Sequence, residues 1–152
     1  MTGLNIGDTA PDFTLPKDGS GEITLSELRG KKVVLYFYPK DDTSGCTSQA
    51  QQFTALNDEF TNAGAIIIGV SKDSVKSHDK FKAKYGISFA LLSDESLDVA
   101  NKYGVWVEKS MYGRKYMGME RATFLIDGEG KIEKVWHKVK ITGHIEEVLA
   151  SV

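Results

Sequence analysis

The sequence predicts an α/β fold: a central mixed β-sheet flanked by helices, preceded by an N-terminal strand extension. Three observations predict it. Short β-branched and aromatic runs, KKVVLYFY at 31–38 and AIIIGVS at 65–71, alternate with segments of helical periodicity. After a third such strand the pattern changes to two strand-like runs joined by Gly128-Glu129-Gly130, a hairpin signal. No linker-like stretch and no internal repeat divides the 152 residues, so one domain over 1–152 is expected.

The elements follow in order. The first 30 residues, with APDFTLP and ITLSELRG, read as short extra strands. KKVVLYFY has the pattern of a strand buried on both faces, and Pro39 terminates it. From Thr43 to about Asn62, Ala50, Phe53, Leu56 and Phe60 share one helical face, and Ala63-Gly64 ends the helix. AIIIGVS is a second buried strand. Ser74 is a candidate N-cap for a helix with Val75, Phe81 and Tyr85 in period, closed by Gly86. ALLSD at 90–94 is a third strand, and a helix over about 96–103 ends at Gly104. RATFLID (121–127) and KIEKVWH (131–137) form the hairpin, and a helix over about 143–151 follows. The parallel strands should connect by right-handed crossovers.

Composition narrows the function. A formal charge of -2 offers no field for nucleic acid, and the run AIIIGV is far shorter than the roughly 20 residues that span a bilayer. MTGLNIGDTAPDF lacks the features of a secretory signal, so a cytoplasmic setting without nucleic-acid or membrane partners is expected. Cys46 is the only cysteine, which excludes an internal disulfide and a zinc cluster of several thiolates. His78, His137 and His144 are too scattered for a metal site, and solvated or capping roles are expected for them. Asp41 and Asp42 read as residues that cap or solvate a helix start. Trp106 and Trp136 read as packing residues. No phosphate loop or dinucleotide fingerprint is present.

Attention therefore falls on Cys46. A strand ends at Tyr38 and a helix begins a few residues later, the junction where open α/β sheets collect ligands. With Thr43 as N-cap, Ser44, Gly45 and Cys46 take the first three helical positions. The sulfur then lies beside unpaired backbone N–H groups and the positive end of the helix dipole, where a thiolate is stabilised. Gly45 permits close approach of another group, and the Thr43 hydroxyl is within reach of the sulfur. The plain alternative is a small buried thiol in an apolar pocket. The polar neighbours Lys40, Asp41, Asp42, Thr43, Ser44 and Thr47 argue against it.

YPKDDTSGCT resembles the peroxidatic motif of peroxiredoxins, Pro-x-x-x-Thr-x-x-Cys, here Pro39, Thr43 and Cys46. With APDFTLP, VWVEKSMYGRKYMG (105–118), RATFLID and VKITGH (139–144), nearly the whole chain is similar to the bacterial subfamily of bacterioferritin comigratory protein and peroxiredoxin Q. The resemblance implies a thioredoxin fold with an N-terminal extension. It implies a thiol-dependent peroxidase that reduces hydrogen peroxide and alkyl hydroperoxides through a sulfenic acid at Cys46, in antioxidant defence, without any cofactor or metal. Carried over by residue, Cys46 is the nucleophile, and Thr43 hydrogen-bonds thiolate and peroxide. Pro39 shields the sulfur. Arg121, which alone would read as a strand-end surface cation, is the positive charge that reaches the pocket. The segment with Tyr112, Arg114, Lys115, Tyr116, Met117 and Met119 is expected as a loop near the pocket that helps bind organic peroxides or the reductant.

Two positions depart from the subfamily. Gln51 stands where many members carry a second cysteine, so the sulfenic acid must be resolved by an external thiol: thioredoxin, glutaredoxin or glutathione. Ser44 stands where proline is frequent, which suggests a looser first turn. A monomer is expected, with a weak dimer through the active-site loops as the alternative. Two rival functions fit less well. A thiol–disulfide oxidoreductase needs a cysteine at position 43, and a non-catalytic redox sensor would not turn over peroxide.

Overall fold

A computed structural model describes residues 4–152. In chain order the elements are β1 (Thr14–Pro16), β2 (Glu22–Thr24), a 3₁₀ turn (Leu25–Leu28), β3 (Lys32–Phe37), α1 (Ser44–Ala55), α2 (Asn57–Asn62), β4 (Ala65–Ser71), α3 (Val75–Tyr85) and β5 (Ala90–Ser93). There follow α4 (Asp98–Lys102), β6 (Trp106–Met111), β7 (Arg114–Met119), β8 (Ala122–Ile126), β9 (Ile132–Trp136) and α5 (His144–Ser151). Five strands form one sheet in the order β5-β4-β3-β8-β9. β3, β4 and β5 run parallel, and β8 and β9 are antiparallel to their neighbours. This is the mixed sheet the sequence predicts. No helix among the described residues is long and apolar enough to cross a membrane.

β3 is the centre of the sheet, and its alternation of faces builds two cores. Val33, Leu35 and Phe37 pack with Phe13, Val99, Tyr103 and Phe124 on one side. Val34, Tyr36 and Tyr38 pack with Cys46, Ala50, Phe53, Phe60, Phe81, Ile145 and Val148 on the other. The second core is therefore the one that α1, α2, α3 and α5 cover, and it contains the cysteine. Aromatic contacts tie it together: the Tyr36 and Phe53 rings stack with centroids 4.7 Å apart, and Phe53 meets Phe60 at 5.8 Å. Trp106 and Trp136 pack at the edges of the two cores, as expected of packing residues.

The turn chemistry behaves as the sequence indicates. The Ser74 hydroxyl accepts from Ser77 N–H at 3.1 Å, and Gly86 closes α3 with φ 65°. The Asp127 carboxylate accepts from the N–H groups of Glu129 and Lys131 and fixes the β8–β9 turn.

Four expectations are corrected. The helix over 43–62 is two helices, broken at Leu56, whose N–H is shared between the carbonyls of Gln52 and Phe53. The break is tertiary in origin: Asn57 Nδ2 donates to Ser88 Oγ at 2.9 Å, and Ser88 N–H reaches Thr54 Oγ1 at 3.4 Å. The helix expected over 96–103 is only Asp98–Lys102. Leu97 is left-handed, and the buried Asp94 carboxylate accepts from the N–H groups of Val99 and Ala100. The segment from Tyr112 to Met119, expected as a loop, is the turn and second strand of a β6–β7 hairpin, turned by Tyr112 and Gly113, both at positive φ. Finally, His78 and His144 are buried rather than solvated, because each finds a polar partner inside. His144 Nε2 meets Thr123 Oγ1 at 2.8 Å, and burial holds its pKa below the ordinary imidazole value. His137 stays half-exposed against Glu120.

Gly69 in β4 lets Tyr36 of β3 lie flat across the sheet. A Cβ at this position would meet the Tyr36 ring and hydroxyl at 3.0 Å and Leu91 Cδ2 at 3.1 Å. Gly69→Ala is expected to cost about 1–3 kcal/mol by overpacking, read as a lowered urea midpoint with an unchanged slope.

Candidate active site

The first turn of α1 sits where β3 ends, and the sheet brings Arg121 to it. Phe37 pairs with Ala122, so the antiparallel strand β8 begins where β3 finishes, and Arg121 lies just before that start. Its backbone carbonyl accepts from Val139 N–H at 2.9 Å, fixing the chain on both sides of the guanidinium. Arg121 Nη1 donates to Gln49 Oε1 at 2.7 Å, and Nη2 donates to Cys46 Sγ at 3.4 Å. One planar fork thus bridges two residues one helical turn apart on α1.

Cys46 is the third residue of α1, with Thr43 at the N-cap in extended backbone. The first intrahelical bond runs from Thr47 N–H to the Thr43 carbonyl at 2.8 Å, so the N–H groups of Gly45 and Cys46 precede the ladder. The sulfur is only 2% exposed and belongs to the buried cluster with Tyr36 and Tyr38. The polar sequence around Cys46 had argued against an apolar pocket. The fold supplies one on the inner side all the same, because the residues that wall it come from β3. On the outer side lie the guanidinium and the helix start. A fixed cation and a helix N-terminus at one sulfur complement a thiolate.

Gly45 has a steric role. A Cβ there would meet Arg121 Nη2 at 3.2 Å and Ile141 Cδ1 at 3.3 Å, so the missing side chain is the space through which the fork reaches the sulfur. Thr43 occupies the expected place, but its hydroxyl proton goes to the Lys40 carbonyl at 2.8 Å rather than to the sulfur. Pro39 is half-buried at the turn out of β3. Gln51 lies exposed on α1.

Several residues escaped the sequence reading. Gln49 is fully buried, and its Nε2 has no hydrogen-bond partner among the described residues, nor has the buried Tyr36 hydroxyl. Burial and the nearby Cys46 and Asp41 charges keep the Tyr36 phenol protonated, with its pKa well above the ordinary value. Spacing three residues beyond Cys46 on a helix was the available signal for Gln49. Lys109 of β6 is a second, half-buried cation near the site. Burial and the Arg121 charge push its pKa down, and its stem fits over Gly118. Nothing in the sequence pointed to it. Among the described residues no cluster of three or more acidic, histidine or cysteine side chains is placed to hold a metal.

Comparison with known proteins sharpens the picture. The AhpC/TSA family model matches residues 6–135. A putative peroxiredoxin bcp of Coxiella burnetii is 52% identical over 146 residues, 96% of this chain and 97% of its own. Peroxiredoxin Bcp of Bacillus subtilis is 47% identical, with 96% and 93% covered. Among solved structures, a cysteine-to-serine mutant of peroxiredoxin Q from Xylella fastidiosa superposes with a TM-score of 0.94 at 42% identity, covering 99% of this chain and 96% of its own. The bacterioferritin comigratory protein of Xanthomonas campestris, studied for its alkyl peroxide reduction activity, superposes at 0.88 with 47% identity over 91% and 88%.

The gap at Gly45 yields a direct test. Gly45→Ala should displace the guanidinium and Ile141 by a few tenths of an ångström and slow alkylation of Cys46 by iodoacetamide several-fold. Stability should stay within about 1 kcal/mol in a urea titration, since alanine favours the helix.

Proposed function

Because the chain belongs to the AhpC/TSA family, and within it to the Bcp peroxiredoxins, it is a thiol-dependent peroxidase, and we propose that Cys46 is its nucleophile with Arg121, Thr43 and Pro39 completing the site. The observation that carries the assignment is the 3.4 Å approach of Arg121 Nη2 to Cys46 Sγ at the start of α1.

The steps follow from the geometry. The Cys46 thiolate attacks one oxygen of ROOH, an S–O bond forms as the O–O bond breaks, and RO⁻ leaves and takes a proton. Arg121 and the N–H groups at the helix start face the charge that moves onto the oxygens. Thr43 has given its hydroxyl proton to Lys40, so its oxygen is left to accept from the peroxide O–H. Pro39, half-buried beside the site, limits water. The product is a sulfenic acid, the reversible rung of thiol oxidation.

Cys46 has no thiol partner in its own chain. An external thiolate therefore attacks the sulfenic sulfur, releasing water and leaving a mixed disulfide, and a second thiol frees Cys46. We take hydrogen peroxide and alkyl hydroperoxides as substrates and thioredoxin, glutaredoxin or glutathione as donors, in a reducing cytoplasm. Cys46→Ser is expected to abolish peroxide consumption with every donor. Arg121→Met should lower the rate of Cys46 oxidation by about 10²–10³. Stopped-flow measurements with each donor supplied separately check both and identify the donor. Undiminished turnover in Cys46→Ser would refute the mechanism.

A further inference from the structure

Upstream of the sulfur lies a buried polar cluster that the peroxide chemistry above leaves unused. Asp41, in the loop between β3 and α1, has a side chain only 4% exposed. Its Oδ1 accepts from the Tyr38 hydroxyl at 2.6 Å and its Oδ2 from the Ser77 hydroxyl at 2.8 Å. The same Oδ2 lies 2.7 Å from His78 Nδ1. On the far side of the ring, His78 Nε2 lies 2.8 Å from the backbone carbonyl of Leu92 in β5.

The protons on the ring can be assigned from these partners. A carbonyl only accepts, so Nε2 carries a hydrogen. With Asp41 ionised, its carboxylate only accepts, so Nδ1 carries one too. That assignment makes His78 an imidazolium, wholly buried and paired with Asp41. The charged and titratable groups facing it come from three directions. Tyr38 and Asp41 come from the end of β3 and its loop. Asp73 comes from the loop before α3, where it accepts from Asp41 N–H at 2.8 Å and Ser71 Oγ at 2.7 Å. Ser77 comes from its own helix. Burial works to lower the His78 pKa, but the hydrogen bond and charge of Asp41, with help from Leu92 and Asp73, raise it above the ordinary value.

The next residue strengthens the clamp. Asp42 is left-handed at φ 58°, and its carboxylate accepts from Tyr85 Oη at 2.6 Å and Lys84 Nζ at 2.9 Å. Two consecutive loop residues thus anchor to α3, one at each end of that helix. The loop they hold is the segment that presents Pro39, Thr43 and the start of α1.

We propose that His78, as an imidazolium, is a positioning residue for the peroxidase reaction: it holds Asp41, and through Asp41 the loop that sets Cys46 at the helix start. The proposal rests on the peroxidase reading above. Deprotonation leaves a lone pair facing an acceptor, the Asp41 carboxylate at Nδ1 or the Leu92 carbonyl at Nε2, and so breaks one of the two contacts by which the ring ties the loop to the fold. The raised pKa fixes the sign: positioning is complete below about pH 6.5, the unfolded value, and is lost as pH rises through the folded one. Thiolate formation acts in the opposite direction, so a fall in rate on the alkaline side is the signature.

The test measures the second-order rate of Cys46 oxidation by hydrogen peroxide from about pH 5 to about pH 9, with ¹⁵N NMR of the histidine rings in parallel. In the wild type the alkaline fall should share its midpoint with the His78 ring. His78→Gln should be roughly 10- to 100-fold slower below that midpoint and show no fall. Asp41→Asn, which keeps the side-chain shape and one acceptor oxygen, covers the case in which His78→Gln does not fold. It should lower the midpoints of ring and rate together. A His78 ring with one N–H at pH 6, a wild-type profile that stays flat, or an alkaline fall that persists in His78→Gln overturns the proposal. A wild type that oxidises Cys46 at no pH instead refutes the peroxidase reading, while the NMR still decides the state of the ring.

Discussion

The site depends on the approach of one cation to one sulfur, and that approach is a property of the sheet rather than of either residue. Cys46 and Arg121 are 75 positions apart in sequence. What brings them together is the antiparallel register of β3 against β8, where Phe37 faces Ala122. Because β3 is buried on both faces, this register is fixed: a slip of one residue would exchange the contents of the two cores. The guanidinium is then held by Gln49 on α1, so both ends of the contact are pinned by structure that folding must build anyway.

The same arrangement creates a difficulty. A sulfur at 2% exposure, walled by tyrosines and closed over by Arg121 and Ile141, is well placed to meet a small peroxide and badly placed to meet a protein thiol. α1 itself does little to fix its own first turn. The Thr43 side chain caps no N–H of the helix, and no acidic residue occupies the first turn. Ser44 at the first helical position lacks the fixed φ that a proline would impose there. The order of the helix start therefore comes from outside, from the loop tied to α3 through Asp41 and Asp42. Local stability here is held by a few polar contacts rather than by the core, the pattern expected of a segment that opens separately from the rest.

How much of this was legible in the sequence follows from where each feature gets its energy. The sheet strands and their order of appearance were readable because β3, β4, β5 and β8 are buried on both faces and spell themselves as apolar runs. The β6–β7 hairpin was not, since Met111, Tyr112, Tyr116 and Met117 are exposed and only its base, at Trp106 and Met119, reaches the core, too little to create an alternation. The break at Leu56 depends on Ser88, more than thirty positions away in sequence, and no local pattern carries it. At the site, Cys46 and Thr43 were legible from the strand end and the helix start. Pro39 and Arg121 received their roles only through family resemblance. His78 was misread, although the stripe Val75, His78, Phe81 and Tyr85 places it on the inward face of α3. A polar residue in an apolar stripe was the sign of a buried partner, and the partner, Asp41, was mistaken for a solvated residue.

In the proposed catalytic cycle these features set two halves against each other. The peroxide step gains from a helix start held rigidly, because attack geometry at the sulfur and the aim of Arg121 are then already in place. The resolving step gains from a helix start that opens, because Gln51 supplies no thiol and the donor must come from another molecule. A sulfenic acid that waits too long meets a second peroxide and climbs to the irreversible rung. The strength of the loop's attachment to α3 therefore bears on both steps with opposite sign. In a chain with an internal resolving thiol, opening need only bring two segments of the same molecule together. Here the opening must last long enough for a bimolecular encounter, so an attachment made of a few polar contacts suits a one-cysteine enzyme better than one made of packed core.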